Sequence, residues 1–564
     1  MKSLRWQLIL LGLSLILIAW LLWTQQANPT PVAGVGLQPV SGGVYSEALI
    51  GSLGRLNPVL DYTNPVDRDV NRLLYAALVQ FDERGLPQPD LAESWGVSAD
   101  GKIYNFSIRP QAVWHDGAPV TSDDIIFTVD ALRSDASPLP QDIKEMWRQI
   151  QVVPLDEKTI QFRLPAAFAP FLDYLTFGVL PKHLLGGTSV EAMQSAPFNF
   201  QPIGSGPFRF QSFISEEGNI VGVSLQAFER YHRGRAYLDG VVFRYYPDGA
   251  TALNAYRAQE VLGISRVDET ILREVLTEVG LNLYTARLPN LTLIFLNLNH
   301  PDLPFFQDKT IRRALLMGLN RQRLIDELRN GQAIIADGVI MPGTWAYYDG
   351  IERIPFDPEE ALDLLKKAGY TFPPEGGEAR AKEGVALRFE LVYPEVPGYA
   401  ELAAEIAQSW AKLGVVAVPK AVPFETLMTQ YLETRNYHAA LVELSFARSP
   451  DPDPYPFWDQ AQIAEGQNYA QWDDRLASEY LERARITTDW GERARLYHNF
   501  QVRFQSELPA LPLFYPVYNY AVDASIQNIR VGPMFDPTDR FANILGWYVR
   551  AQRPQIPPKN SPSP

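Results

Sequence analysis

The chain contains no cysteine. That rules out disulfides, thiolate metal sites, a cysteine nucleophile and the lipid that some exported proteins carry on an N-terminal Cys. Histidine is nearly as scarce: the six lie at positions 115, 183, 232, 300, 438 and 498, with no His-x-x-x-His pair. Glu229 and His232 make one Glu-x-x-His, but a carboxylate-bridged metal site takes two such pairs on facing helices. Gly204-Ser205-Gly206 lacks the spacing of a nucleophile elbow, and the same segment fits neither Gly-x-Gly-x-x-Gly nor a Walker loop. Acids are plentiful, 65 in all, so some close carboxylate pair is inevitable and carries no information about glycoside hydrolysis. The sequence therefore predicts no metal, no cofactor and no catalysis. Basic residues are outnumbered 50 to 65, and the net charge of −15 argues against nucleic acid or anionic lipid as the main partner.

One long apolar run is present, Trp6 to Trp23, with Lys2 and Arg5 before it. As a helix it rises about 27 Å, close to the ~30 Å hydrocarbon core, and the basic flank places the N-terminus in the cytoplasm and the rest outside. The run is long for the apolar region of a signal peptide, and no good Ala-x-Ala site follows it. The expectation is a transmembrane signal-anchor over residues 1–23, a Pro- and Gly-rich tether over 24–43, and a disordered tail over 551–564. A chain of 564 residues is too long for one core and predicts two or three domains.

Residues 91–132, LAESWGVSADGKIYNFSIRPQAVWHDGAPVTSDDIIFTVDAL, form the most legible stretch. Tyr104, Phe106 and Ile108 alternate with polar residues as in a half-buried strand, between the turn dipeptides Asp100-Gly101 and Asp116-Gly117. Thr121 with Asp124 reads as a capping box, followed by Ile125, Ile126, Val129 and Leu132 at helical spacing. Nothing in this unit demands chemistry, and His115 has no second ligand type nearby to make it a metal site. The run LAESW, S-x-D-G-x-x-Y-x-F-x-I-R and WHDG-x-P-V-T-S-D-D closely resembles the signature region of family 5 extracellular solute-binding proteins. These are the oligopeptide-, dipeptide- and nickel-binding components of ABC importers.

Further along, residues 202–208 (PIGSGPF) resemble the family's G-[TS]-G-P-[YF], and residues 308–333 resemble its D-x-x-[IV]-R-x-A motif. Asp357-Pro358-Glu359-Glu360 gives an N-cap, Pro at N1 and Glu at N3. A strand through Leu387–Tyr393, an amphipathic helix through Leu402–Leu413 and a strand at Val415–Val418 imply parallel pairing with a crossover. Helices are also expected over 67–81 and, with its exit, 168–185.

The resemblance implies an α/β fold of the type II periplasmic-binding-protein class, two lobes about a cleft plus an extra domain. Lobe I is expected over 44–72, 205–288 and 515–550, the extra domain over 73–204, and lobe II over 289–514, with hinge strands near Leu288–Leu293 and Leu513–Val517. It also implies a role: an extracytoplasmic monomer that captures a peptide-like or other small solute by hinge closure and delivers it to ABC permease subunits. A membrane-tethered interaction protein with a non-functional cleft is the alternative, and a hydrolase on this scaffold a weaker one. Ligand contacts are expected from Gly51, Ser52 and Leu53, from Gly204 and Ser205, and from the strand and turn that carry Leu444, Ser445, Phe446, Arg448 and Asp451. In the family's peptide binders an Asp three residues before an Asp-Pro pair meets the ligand's α-ammonium. If Asp451-Pro452 is that pair, Arg448 stands at the ammonium position; if Asp453-Pro454 is, Pro450 does. Neither is an acid, and an arginine there would repel an ammonium and favour an anion, unless its side chain is solvated outside the cleft.

Overall fold

Twelve strands of the computed structural model join into one sheet. The structure describes residues 41–550, so the Trp6–Trp23 run, most of the 24–43 segment and the 551–564 tail lie outside the described residues. Among the described residues no helix is long and apolar enough to cross a membrane. In chain order the strands are β1 (Val44–Ile50), β2 (Phe208–Glu216), β3 (Asn219–Ala227), β4 (Gly240–Tyr246), β5 (Gly263–Ile264), β6 (Leu281–Arg287), β7 (Asn290–Leu296), β8 (Ala333–Ile335), β9 (Arg388–Pro394), β10 (Val416–Val422), β11 (Ala439–Ser445) and β12 (Ala510–Asp523). Their order across the sheet is β10-β9-β11-β7-β12-β5-β1-β4-β3-β2, with β6 and β8 also paired to β12.

The long strand β12 serves two half-sheets. Its first half pairs with β7 and β8, bringing Ala510 opposite Phe295 and Phe514 opposite Ile335. Its second half pairs with β6 and β5, bringing Val517 opposite Arg287 and Ala521 opposite Ile264. The chain passes between the halves a second time at Leu288–Pro289, where the Leu288 N–H donates to the Pro516 carbonyl at 3.1 Å. Pro289 and Pro516 mark the two passages, and neither can donate to a ladder. On the β7 side, β9 runs parallel to both β10 and β11, with helix α1 (Tyr399–Ala411) in the β9–β10 crossover. Leu402, Ala403, Ile406 and Trp410 are the buried face of α1.

Residues 92–163 add a four-stranded antiparallel sheet. In it Tyr104, Phe106 and Ile108 point inward as their alternation requires, and the Thr121 N–H donates to the Asp124 carboxylate at 2.8 Å. Two expected helices are shorter. The one read over 67–81 spans Pro65–Leu74; Tyr75 is extended and Val79–Phe81 is a strand. The incoming 204–206 segment ends it: the Gly206 N–H takes the Leu74 carbonyl at 2.8 Å and Ser205 Oγ accepts from the Ala76 N–H at 3.4 Å. The one read over 168–185 is a 3-10 turn at Ala169–Leu175 and a short helix at Lys182–Leu185, divided where Gly178 packs against Pro58 and Tyr75. One apolar core joins this small sheet to the β1–β4 side (Leu73, Phe106, Trp114, Phe208, Val241), while a separate core surrounds β7 and β9–β11 (Leu293, Leu391, Ile406, Phe500).

Candidate functional site

A cleft of about 1240 Å³ opens beside the two passages. Leu288, Pro289 and Val517 line it, with Ile50 and Val66 contributed from the β1 side and Tyr399, Phe424 and Leu444 from the β11 side. That volume exceeds the roughly 300–1,000 Å³ of drug-sized pockets and leaves room for an extended solute.

β11 gives the cleft its polar edge. The Phe446 N–H donates to the Pro289 carbonyl at 2.7 Å, so antiparallel alternation turns the N–H and C=O of Glu443 and Ser445 away from β7. β9 pairs with β11 only at Ala439 and Ala440, which leaves that outward edge without a partner strand. An open strand edge inside a cleft can take an extended ligand by strand addition. Leu444 and Ser445 line the cleft; Ser445 Oγ donates to Asn290 Oδ1 at 3.1 Å, and Asn290 Nδ2 donates to Glu443 at 2.9 Å. Phe446 lies edge-on to Phe457, with ring centres 5.5 Å apart. On the opposite side Gly51 (φ +126) and Ser52 are exposed just beyond Ile50, while Leu53 packs partly into the core.

The remaining expected residues are elsewhere. Gly204 and Ser205 line no part of this cleft: Ser205 is fully buried, and Gly204 lies so close to the Leu74 carbonyl that a Cβ there would sit 1.8 Å from its oxygen. His115 holds the segment in place. Its Nδ1 accepts from the Gly204 N–H at 3.1 Å, which leaves the ring proton on Nε2 to donate to the Gly206 carbonyl at 3.1 Å. Burial pushes the His115 pKa down to about 4, so the ring stays neutral. Gly204 and Ser205 thus pack the 204–206 segment against the end of the Pro65–Leu74 helix.

Asp451 likewise does not line the large cleft. It is buried, ion-paired with Arg493, and accepts from the Tyr497 hydroxyl at 3.1 Å. Its N–H donates to Asp173 at 2.9 Å, and burial together with the Asp451 charge holds Asp173 well above the usual carboxylate range. Asp173 thereby ties the Ala169–Leu175 turn to the turn after β11, accepting from the Ser449 hydroxyl at 3.1 Å as well.

Arg448 is half-buried and is not presented to the large cleft. It lines a second cavity of about 330 Å³, where its guanidinium lies 4.0 Å over the Tyr62 ring and donates to the Tyr62 carbonyl at 3.0 Å. Asp536 stands 3.6 Å away and is shared with Arg68. Burial raises Asp61, at the same cavity, to about 7. No local pattern could have revealed this cluster, since Tyr62, Arg448 and Asp536 are remote in sequence. Asn290 and Glu443 were equally hidden, because a polar residue on a strand announces only that one face is wet.

The chain matches the family model described as bacterial extracellular solute-binding proteins, family 5 Middle, over residues 87–465. It is 26% identical over 535 residues to a dipeptide-binding protein of Escherichia coli K12, covering 88% of this chain and 94% of that one. It is 24% identical over 565 residues to the oligopeptide-binding protein AppA of Bacillus subtilis, covering 97% and 100%. Among solved structures, HbpA2 from Haemophilus parasuis superposes with a TM-score of 0.78 at 22% identity, covering 90% of this chain and 100% of that one. With the two-sided sheet, the cleft at its passages and two-thirds of the chain inside the family model, the chain belongs to the family 5 extracellular solute-binding proteins, substrate-binding components of ABC importers that bind rather than catalyse, with an extracytoplasmic globular part.

Proposed function

We propose that this chain captures a peptide-like solute in the large cleft by strand addition to β11, closes on it, and passes it to permease subunits in the membrane. The observation that carries the reading is the open Glu443–Ser445 edge facing the cleft. The moving bodies are residues 289–514 on one side and residues 44–72, 205–288 and 515–550, with 73–204 attached, on the other. The separate apolar cores support that division, and Leu288–Pro289 and Pro516–Val517 are the natural hinges. Gly51, Ser52 and Leu53 would meet the ligand from the rim.

Arg448 bears on ligand type. Its guanidinium is already committed to Tyr62 and Asp536, yet its charge would still oppose an ammonium placed beside it. The N-acetylated form of a peptide is expected to bind the wild type at least as well as the unblocked form. Because Arg448 lines the smaller cavity and not the large cleft, Arg448→Asp changes only a charge outside the site and should shift the preference toward the unblocked peptide by no more than about twofold. Titration of both peptides into both proteins tests this; a strong wild-type preference for the unblocked peptide overturns it. Ligand-dependent thermal stabilisation separates a working binder from a tethered protein with an idle cleft.

The Trp6–Trp23 run is proposed to remain as the anchor. The native protein isolated from membranes is then expected to retain it, and an N-terminal sequence beginning after Trp23 would overturn the anchor while leaving export intact.

A further inference from the structure

We infer that residues 73–204 carry a latch that holds the two moving bodies together, with Asp173 as its central residue. The inference rests on the two-body division proposed above and adds what grips the 289–514 body besides the solute.

Three sets of contacts make the latch. The Trp345 N–H donates to the Arg84 carbonyl at 2.8 Å, and Leu86 packs against the core around β7 and β9–β11. Asp173, buried on the Ala169–Leu175 turn, accepts from the Ser449 hydroxyl at 3.1 Å and from the Asp451 N–H at 2.9 Å. The Arg485 guanidinium lies 5.2 Å from the centre of the Phe168 ring, and Trp490 packs against both apolar cores. Arg84, Leu86, Phe168 and Asp173 belong to 73–204, and their partners to 289–514.

The chain itself passes between the bodies at Leu288–Pro289 and Pro516–Val517. No latch residue lies at either passage, so rotation about the passages strains every latch contact. Asp173 carries the most, because one carboxyl group serves two donors and one of them is the backbone of a buried residue. Bodies held this way leave less for the solute to supply, and its apparent affinity rises with the fraction of molecules latched.

A latch closed by a buried acid answers to pH. Asp451 and Asp453, Arg485 and Arg493, and Tyr104 and Tyr174 are packed about the same turn. The small cavity that Asp173 lines adds Asp61, Arg68, Arg72, Arg448, Asp536 and Asp539. Burial and the Asp451 charge raise the Asp173 carboxyl in the latched state, and opening returns it to water. Because the latched value is the raised one, the latch is tightest below the ordinary value of 3.8 and loosens as pH climbs toward the raised value.

The test uses the full chain in detergent, without solute. The chain has no cysteine, so two introduced thiols alone take a donor and an acceptor dye. Val279→Cys and Val418→Cys place them at exposed sites on the two bodies, outside the latch contacts. Single-molecule energy transfer then counts open and latched molecules. Asp173→Ala is expected to raise the open-to-latched ratio about tenfold or more, as the loss of two hydrogen bonds provides. Asp173→Asn keeps an acceptor oxygen for both donors and should stay latched. Between pH 5 and pH 8 the wild-type ratio should rise, and that of Asp173→Asn should rise distinctly less, since only the other acids remain to titrate. An Asp173→Ala protein that unfolds more easily but keeps the wild-type ratio has lost packing alone, which overturns the latch. Identical pH profiles for wild type and Asp173→Asn show that Asp173 keeps its surroundings when the bodies part, and overturn it too. Either failure leaves solute binding standing, because no solute is present. A chain that retains no peptide, yet opens in Asp173→Ala, keeps the latch and loses the solute-binding reading.

Discussion

Arg540→Leu is expected to cost about 3–5 kcal/mol of stability at neutral pH, and distinctly less at pH 5. Arg540 is fully buried between two carboxylates, 2.6 Å from Glu47 and 2.6 Å from Asp69. The Tyr520 hydroxyl donates to Glu47 at 3.0 Å and the Tyr45 hydroxyl at 2.7 Å, so the whole group sits in the core behind β1 and β12. One guanidinium cannot fully compensate two acids. Burial pushes Asp69 up to about 6 despite Arg540, against an ordinary value of 3.8. Because the folded value is raised, Asp69 contributes stability that is complete below pH 3.8 and is lost as pH climbs through about 6. Removing the arginine enlarges that loss only where the acids are ionised, which gives the predicted pH dependence. The complementary change, Asp69→Asn, should be close to neutral near pH 4 and stabilising at pH 8 by up to about 3 kcal/mol, roughly two units at 1.36 kcal/mol each. Thermal unfolding of both variants at the two ends of this range reads both effects. A loss in Arg540→Leu that is equal at pH 5 and pH 8 would show that lost packing, not uncompensated charge, sets the cost.

This cluster also shows where the sequence is silent. Glu47, Asp69 and Arg540 are far apart in the chain, and nothing about an arginine in a polar segment says that it will be wholly buried. What was legible is local. The alternation of Tyr104, Phe106 and Ile108, the Thr121–Asp124 cap and the parallel β9–α1–β10 unit all follow from spacing within a few residues. The cap at Asp357 is of the same kind, its side chain accepting from the Glu360 N–H at 2.9 Å. The passages at Leu288–Pro289 and Pro516–Val517 fall inside the segments expected from family resemblance, which carries topology that periodicity alone cannot. The misread elements failed for one reason: each is decided by a remote partner. The helix over 67–81 stops at Leu74 because residues 204–206 arrive there, and Asp451 is buried away from the large cleft because Arg493 pairs with it. Family resemblance named Arg448 without showing that Tyr62 and Asp536 would hold it.

Gly204→Ala is expected to destabilise the protein by more than about 4 kcal/mol, in the range reserved for clashes the fold cannot absorb. The added methyl would lie 1.8 Å from the Leu74 oxygen and 2.7 Å from its carbonyl carbon, both backbone atoms at the end of a helix. Relief requires moving either that helix end or the 204–206 segment. Moving the segment breaks the Gly206-to-Leu74 hydrogen bond and both contacts to the His115 ring. Because the Leu73–Leu74 turn and Trp114 belong to one core, the strain spreads across the joint between the small sheet and the β1 side. Ser205→Ala removes only a long contact to the Ala76 N–H and should cost about 1 kcal/mol. Thermal unfolding gives the stabilities, and peptide retention per folded molecule gives the function. For Ser205→Ala retention should equal that of wild type, because neither residue reaches the large cleft. A Ser205→Ala protein of unchanged stability that no longer retains peptide would return the Gly204–Ser205 segment to the ligand site. A Gly204→Ala protein as stable as wild type would show that the helix end yields more readily than two backbone atoms in contact allow.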